Sequence, residues 1–164
     1  MKWIIYLAGG LFNAPERLHN LYLEKHLKAL GCEVILPQRE ALKRFNGQTF
    51  DVAGIVRDCS KTAQHADVLV VASADGPDAD SGTSIEYGMA IAKTGRAIVY
   101  RTDFRTDRER EIGFNAMFSG EGTVFVYKPC FFTELEQVEE FYAGLAKEIH
   151  EACLGIHNRL AELE

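Results

Sequence analysis

The sequence predicts a doubly wound α/β domain, in which a five-stranded parallel sheet carries helices on both faces. Three observations lead there. Short apolar runs rich in β-branched and aromatic residues alternate with segments of helical spacing along the chain. Those runs are continuous rather than alternating, which is how strands covered on both faces read. No internal repeat or low-complexity linker interrupts the alternation. Parallel neighbours need crossover connections, and their right-handedness sends the helices to both faces.

Each element has its own warrant. WIIYLA at residues 3–8 is a buried first strand ending at Gly9-Gly10. Helical spacing follows from about 15 to 30 through Leu18, Leu21, Tyr22, Leu27 and Leu30, with Asn13 as cap and Gly31 as stop. CEVILP at 32–37 reads as a second strand stopped by Pro37, and 38–48 as a loop. A second helix occupies about 49–65, with Phe50, Ala53, Ile55 and Val56 on its apolar side. DVLVVA at 67–72 is the clearest buried strand; a loop at 73–82 leads to a third helix at 83–94, closed by Gly95. AIVYR at 97–101 and TVFVY at 123–127 are the last two strands, and an amphipathic helix runs from 133 to about 154. The expectation is one domain over residues 1–164 of the flavodoxin-like or Rossmann-like, doubly wound type. Sites in such folds lie beyond the carboxyl ends of the strands. Tyr6 to Gly10, Ser73 to Asp75 and the start of the third helix should therefore share one crevice.

Composition narrows the functional classes. Among 164 residues, 47% are hydrophobic and 26% charged, which is ordinary for a folded domain rather than a disordered chain. A net charge of −6 argues against a nucleic-acid polymer as partner, because phosphates must be met by clustered Lys and Arg. Cys32, Cys59, Cys130 and Cys153 are scattered without ligand or disulfide spacing, so they read as free thiols in a reducing, cytoplasmic setting, and no metal is expected. The apolar opening MKWIIYLAGGLF is too short and too rich in glycine for a signal peptide. No run approaches the roughly 20 apolar residues of a membrane span.

The segment DGPDADSGTSIEYGMA at 75–90 concentrates the chemistry. Thr83-Ser-Ile-Glu86 has the form of a capping box, with Glu86 reaching back to the helix start and Asp75, Asp78 and Asp80 as solvated turn residues. Acids also favour the positive end of a helix by about 0.3–1 kcal/mol each. A cap needs one acid, however, and here Asp80 and Glu86 flank Gly82, where a ligand can approach the backbone. A phosphate loop is the other possibility, but carboxylates without Lys or Arg repel phosphate. The charge suits a substrate that turns positive during reaction, as a sugar does when its C1 bond breaks through an oxocarbenium-like state.

With the opening YLAGGLF, the stretch DVLVVASADGPDADSGTSIEYGMAIAKTG from Asp67 resembles the nucleoside 2-deoxyribosyltransferase family. The core of the likeness is Asp80-x-Gly82-Thr83-x-x-Glu86-x-Gly88, supported by RTDFR at 101–105 and by Phe114-Asn115-Ala116-Met117. It runs from residue 4 to about 120. The resemblance implies that Glu86 attacks C1′ of a 2′-deoxynucleoside to form a deoxyribosyl ester, and that the Tyr6 hydroxyl orients it. It gives Asp80 an assisting role near sugar and base, and links Asp67 to protonation of the base, although Asp67 opens a strand rather than ending one. It implies that Asn115, with Met117 beside it, reaches the 5′-hydroxyl from a neighbouring subunit, so a homo-oligomer is expected. Gly9 stands where the loop nears the sugar, and Gly9-Gly10 replaces the Gly-Pro common in the family. Phe12 is placed to cover a base, Gln38 to meet a base edge, and Asp58, like Asp51, is a weaker base contact with an equally good reading as solvated helix face. The run RTDFRTDRERE at 101–111 reads as a solvated loop or subunit contact.

The implied reaction is base exchange between a deoxynucleoside and a free nucleobase, with no cofactor. The alternatives are an N-glycoside hydrolase of deoxynucleosides or (deoxy)nucleoside 5′-monophosphates, and a nucleotide-binding module without turnover.

Overall fold

In the computed structural model, which describes residues 2–105 and 115–161, strands and helices alternate as the sequence predicts. The elements are β1 (Ile4–Ala8), α1 (Ala14–Ala29), β2 (Glu33–Ile35), α2 (Pro37–Glu40), α3 (Val52–Ala63), β3 (Val68–Ser73), α4 (Ser81–Thr94), β4 (Ala97–Arg101), β5 (Thr123–Tyr127) and α5 (Glu136–Ala161). Short 3-10 turns occupy Ala41–Arg44 and Ala116–Ser119. All strand pairings are parallel, and the sheet order is β2-β1-β3-β4-β5. The chain steps outward to β2 after β1 and outward the other way after β3, so the switch point lies between β1 and β3.

Period-two alternation assigns each strand residue to a face. Ile5, Leu7, Leu69, Val71 and Ile98 pack with Leu23 and Leu27 of α1 and Leu145 and Ile149 of α5. Tyr6, Ala8, Val70, Ala72 and Val99 pack on the other face with Ala63 of α3 and with Tyr87 and Ala90 of α4. Both faces are covered, which is why the strands read as unbroken apolar runs.

The boundaries shift where local chemistry decides. Asn13 and Glu16 form a reciprocal capping box at the start of α1. The second strand is only three residues long, and Pro37 opens α2 instead of merely stopping the strand, since proline suits a first helical turn. Asp51, weighed above as a base contact, caps α3 by accepting from the Gly54 amide. α4 starts at Ser81 because Asp80, not Thr83, is its cap, accepting from the Thr83 amide at 2.9 Å. Gly95 closes α4 in the left-handed conformation, with φ of 67°. No helix among the described residues is long and apolar enough to cross a membrane.

Candidate active site

Alternation along β1 turns Tyr6 toward α4. On that helix Thr83, Glu86, Tyr87 and Ala90 fall on the face that meets the sheet, by their three- and four-residue spacing. The two elements thus bring a phenol and a carboxylate together across 80 residues of sequence. The Tyr6 hydroxyl donates to Glu86 Oε1 at 2.6 Å, a short, charge-assisted bond. Glu86 is therefore not the returning arm of a capping box, because its carboxylate is taken up by Tyr6 across the crevice.

The electrostatics follow from position. Burial pushes the Glu86 carboxyl up to about 7; the Tyr6 hydrogen bond pulls the other way, and the Asp80 charge adds to the rise. Burial, with the neighbouring Glu86 charge, holds the Tyr6 hydroxyl far above its ordinary range, so it remains a donor. The start of α4 lies more than one turn away from Glu86, and the helix end does not offset the loss of water.

Glu86 lies in a cavity of about 640 Å³ walled by Leu11, Phe12, Pro37, Leu42, Phe50, Val52, Ile55, Val56 and Met89, with Gly9, Gln38, Cys59, Asp80 and Gly82 also lining it. The walls are mostly apolar, and Asp80 and Glu86 are the carboxylates among the described lining residues. Phe12 stands at the mouth, 79% exposed. Gly82 is a place of close approach, since a Cβ there would meet Asp80 Oδ2 at 3.0 Å.

On the other side of the switch point a second cavity of about 570 Å³ shares Gly9 and Asp80 with the first. Glu16, His19, Asn20, Asp75 and Asp78 line it, against Phe132, Phe141 and Tyr142, and no Lys or Arg does so among the described residues. His19 bridges the Tyr142 and Tyr100 hydroxyls, each at 2.9 Å. Burial pushes its imidazole below the ordinary range, with Asp75 pulling the other way.

Some residues singled out in the sequence are placed elsewhere or are already engaged. Gln38 lines the cavity, but its amide accepts from Asn20 and donates to the Arg17 carbonyl, so its edge is committed to the protein. Asp58 accepts from Arg44 at 2.8 Å and faces a separate 220 Å³ cavity behind Tyr6. Asp67 is not brought to the site: it precedes β3 at the amino end of the sheet, 79% exposed, whereas Glu86 stands beyond the carboxyl end. Asn115 accepts from the Met117 amide, Met117 is 80% exposed, and neither lines the cavity of its own chain. Phe114 and residues 106–111 of the charged run lie outside the described residues.

The structure also shows what sequence reasoning missed. Asp75 is no solvated turn residue: it accepts from the Thr102 amide, the Thr102 hydroxyl and the Asp103 amide. Arg101 is buried, not solvated, and donates to the carbonyls of Ala74, Gly76 and Arg105. Cys59, read above only as a scattered free thiol, lines the cavity that holds Glu86 and the smaller one that holds Tyr6. Nothing local in the sequence signals these long-range partners. Among the described residues no group of three or more His, Cys, Asp or Glu side chains is arranged to hold a metal ion.

Known proteins share this fold. A conserved protein from Enterococcus faecalis V583 shares the fold with a TM-score of 0.63 and 24% identity, over 86% of this chain and 98% of that one. A 2-deoxyribosyltransferase from Bacillus psychrosaccharolyticus aligns with a TM-score of 0.55 and 20% identity, over 87% and 95% of the two chains. The CMP N-glycosidase BcmB of Clostridium botulinum aligns with a TM-score of 0.53 and 16% identity, over 86% and 95%. No curated protein sequence matches the chain. The family model for nucleoside 2-deoxyribosyltransferase matches residues 5–123, which takes in Tyr6, Asp80, Glu86 and Asn115, and the chain belongs to that family.

Proposed function

We propose that this protein transfers 2-deoxyribose between nucleobases, with Glu86 as the covalent carrier. The observation that carries the reading is the Tyr6–Glu86 bond beside a mostly apolar cavity that Glu86 lines. In the first half-reaction the C1′–N bond breaks and its electron pair leaves with the base, which takes up a proton. A Glu86 oxygen bonds to C1′, giving a deoxyribosyl ester. In the second half, a nitrogen of the incoming base attacks C1′, the C1′–O bond to Glu86 breaks with the carboxylate departing, and the base gives up its N–H proton, returning the one taken up in the first half. Asp80, fixed as the cap of α4, supplies negative charge beside the positive sugar of both transition states. The deoxyribosyl group faces Glu86 while the base lies among Phe12, Leu42, Val56 and Met89.

A free 5′-hydroxyl fits this site better than a 5′-phosphate. Arg101 is committed to backbone carbonyls, Arg105 is paired with Asp103, and the second cavity is lined by carboxylates. A phosphate in that second cavity meets like charge and no Lys or Arg among its described lining residues, and Arg17, which lines the main cavity, donates to the Leu11 carbonyl. Asn115 and Met117 of a neighbouring subunit complete the sugar site in this reading.

The test is to incubate the purified protein with 2′-deoxyinosine and free adenine or cytosine and to resolve the products by chromatography. Deoxyadenosine or deoxycytidine is expected from the wild type and none from Glu86→Gln. Hypoxanthine and free deoxyribose without exchange would convert the reading to a hydrolase. No turnover of deoxynucleosides or of their 5′-monophosphates would leave only a binding role.

A further inference from the structure

The loop between β1 and α1 brings Gly9, Leu11 and Phe12 to the main cavity, and α1 holds it at three successive residues. Asn20 Nδ2 donates to the Gly10 carbonyl at 2.9 Å, and Arg17 Nη1 donates to the Leu11 carbonyl at 3.2 Å. The Phe12 amide donates to Glu16 Oε2 at 2.7 Å. The Glu16 carboxylate also fills the space beside residue 10, where a Cβ would stand 2.6 Å from its Cδ.

Asn20 does more than hold the loop. The same Nδ2 donates to Gln38 Oε1 at 3.0 Å, and Gln38 Nε2 donates to the Arg17 carbonyl at 3.3 Å. Gln38 belongs to α2, which contributes Pro37 and Gln38 to the cavity and leads into Ala41 and Leu42. Backbone carbonyls fix both amides. Gln38 turns its NH2 to Arg17, so its oxygen faces Asn20, and Asn20 must turn its own NH2 to two acceptors. Asn20 and Gln38 are 3% and 5% exposed, so water competes little for these bonds.

We propose that Asn20 is a positioning residue for the nucleobase, tying the Phe12 loop to α2 so that both stretches of wall are set before the base enters. This rests on the reading that a base lies among Phe12, Leu42, Val56 and Met89. Phe12 is largely exposed, so its place depends on the loop backbone more than on packing around its ring. A wall fixed beforehand spares the base the cost of ordering it on binding. Tyr6 and Glu86 stand on β1 and α4, outside the tie, and their bond does not pass through Asn20. Losing Asn20 should therefore weaken binding far more than it slows the chemical step.

Asn20→Ala and Asn20→Asp are compared with the wild type after thermal melts confirm that each is folded. Aspartate has nearly the same size but at most one proton to donate, so it cannot serve both acceptors. Hydrogen–deuterium exchange of the protein alone is read first. The amides of residues 10–13 should exchange at least about tenfold faster in both variants, with the central strands unchanged. The kinetic arm uses 2′-deoxyinosine and adenine. KM for the deoxynucleoside should rise about tenfold in both variants, with kcat changed less than about threefold. In a Phe12→Ala background the same substitutions should raise KM less than about twofold, because the wall they position is gone. A residue that only fills space predicts an Asp variant like the wild type, and one that only stabilises the fold predicts the same KM effect in both backgrounds. Either result, or an unchanged loop in the exchange data, overturns the proposal. If the wild type exchanges no base while the loop still loosens, the proposed function falls and the tie stands without it; if bases are exchanged with loop or KM unmoved, only the role of Asn20 falls.

Discussion

Taking the Glu86 side chain out of water makes its charge costly, and the Tyr6 hydroxyl at 2.6 Å returns part of that cost. With the carboxyl at about 7, kcat/KM for base exchange should rise with pH through neutrality and level off above it, because only the ionised form attacks C1′. Tyr6→Phe removes a donor that favours the charged form. Its rising limb should move to higher pH, and activity at pH 7 should fall on the order of tenfold or more, with partial recovery at pH 9. A pH–rate profile checks both. The same shift has a stability consequence of fixed sign. Glu86 rises from 4.5 to about 7 on folding, so between those values the unfolded chain gives up its proton while the native state keeps it. Stability is therefore lost as pH rises across that window. Glu86→Gln should be the more stable protein at pH 8, by up to about 3 kcal/mol, and should match the wild type near pH 4. Urea unfolding at the two pH values measures the difference; equal stability at pH 8 would contradict the buried position of this carboxylate.

Among the elements, the ends of β3 and β4 depend on each other. The Arg101 side chain reaches from β4 to the carbonyls of Ala74 and Gly76, and Asp75 reaches back to the amides of Thr102 and Asp103. Two crossed ties hold the loop that delivers Asp80 to the start of α4. Arg101→Met leaves buried carbonyls without a donor and should cost about 2–4 kcal/mol, seen as a lower urea midpoint at an unchanged slope. Arg101→Lys should recover only part of this, since an ammonium cannot span the carbonyls as a planar guanidinium does. The strands themselves were legible in the sequence, because β1, β3 and β4 are buried on both faces and leave continuous apolar runs. Helix starts were less legible. Asp80 and Thr83 are both good caps three residues apart, and only the fold of the loop decides that Asp80 takes the place.

For the molecule as a whole, two residues of the family motif lie away from the cavity of their own chain. Asn115 follows β4 toward the β5 edge of the sheet, and Met117 beside it is exposed. On the proposed reading they serve a neighbour, and subunit mixing tests this. Glu86→Gln and Asn115→Ala, each inactive alone, should regain part of the exchange activity when unfolded together and reassembled. A mixed oligomer then holds some sites with an intact Glu86 from one subunit and an intact Asn115 from another. No recovery in mixed oligomers, shown by light scattering to have formed, would place Asn115 in the site of its own chain or outside catalysis.

By itself the sequence determined the layered α/β architecture, and it pointed to a candidate site at the switch point with Asp80 and Glu86 in it. These depend on apolar periodicity and on motif residues that lie close together along the chain. Only the tertiary structure decided what each acid touches. It bonded Glu86 to Tyr6, as the family resemblance implied and the capping pattern did not, and it gave Asp75 to the end of β4, Gln38 to Asn20 and Arg17, and Asp67 to the far end of the sheet. It also placed Cys59 in the wall of the cavity that Glu86 lines. The physical reason is that a carboxylate's role is set by burial and by partners tens of residues away, and neither is written in the local pattern.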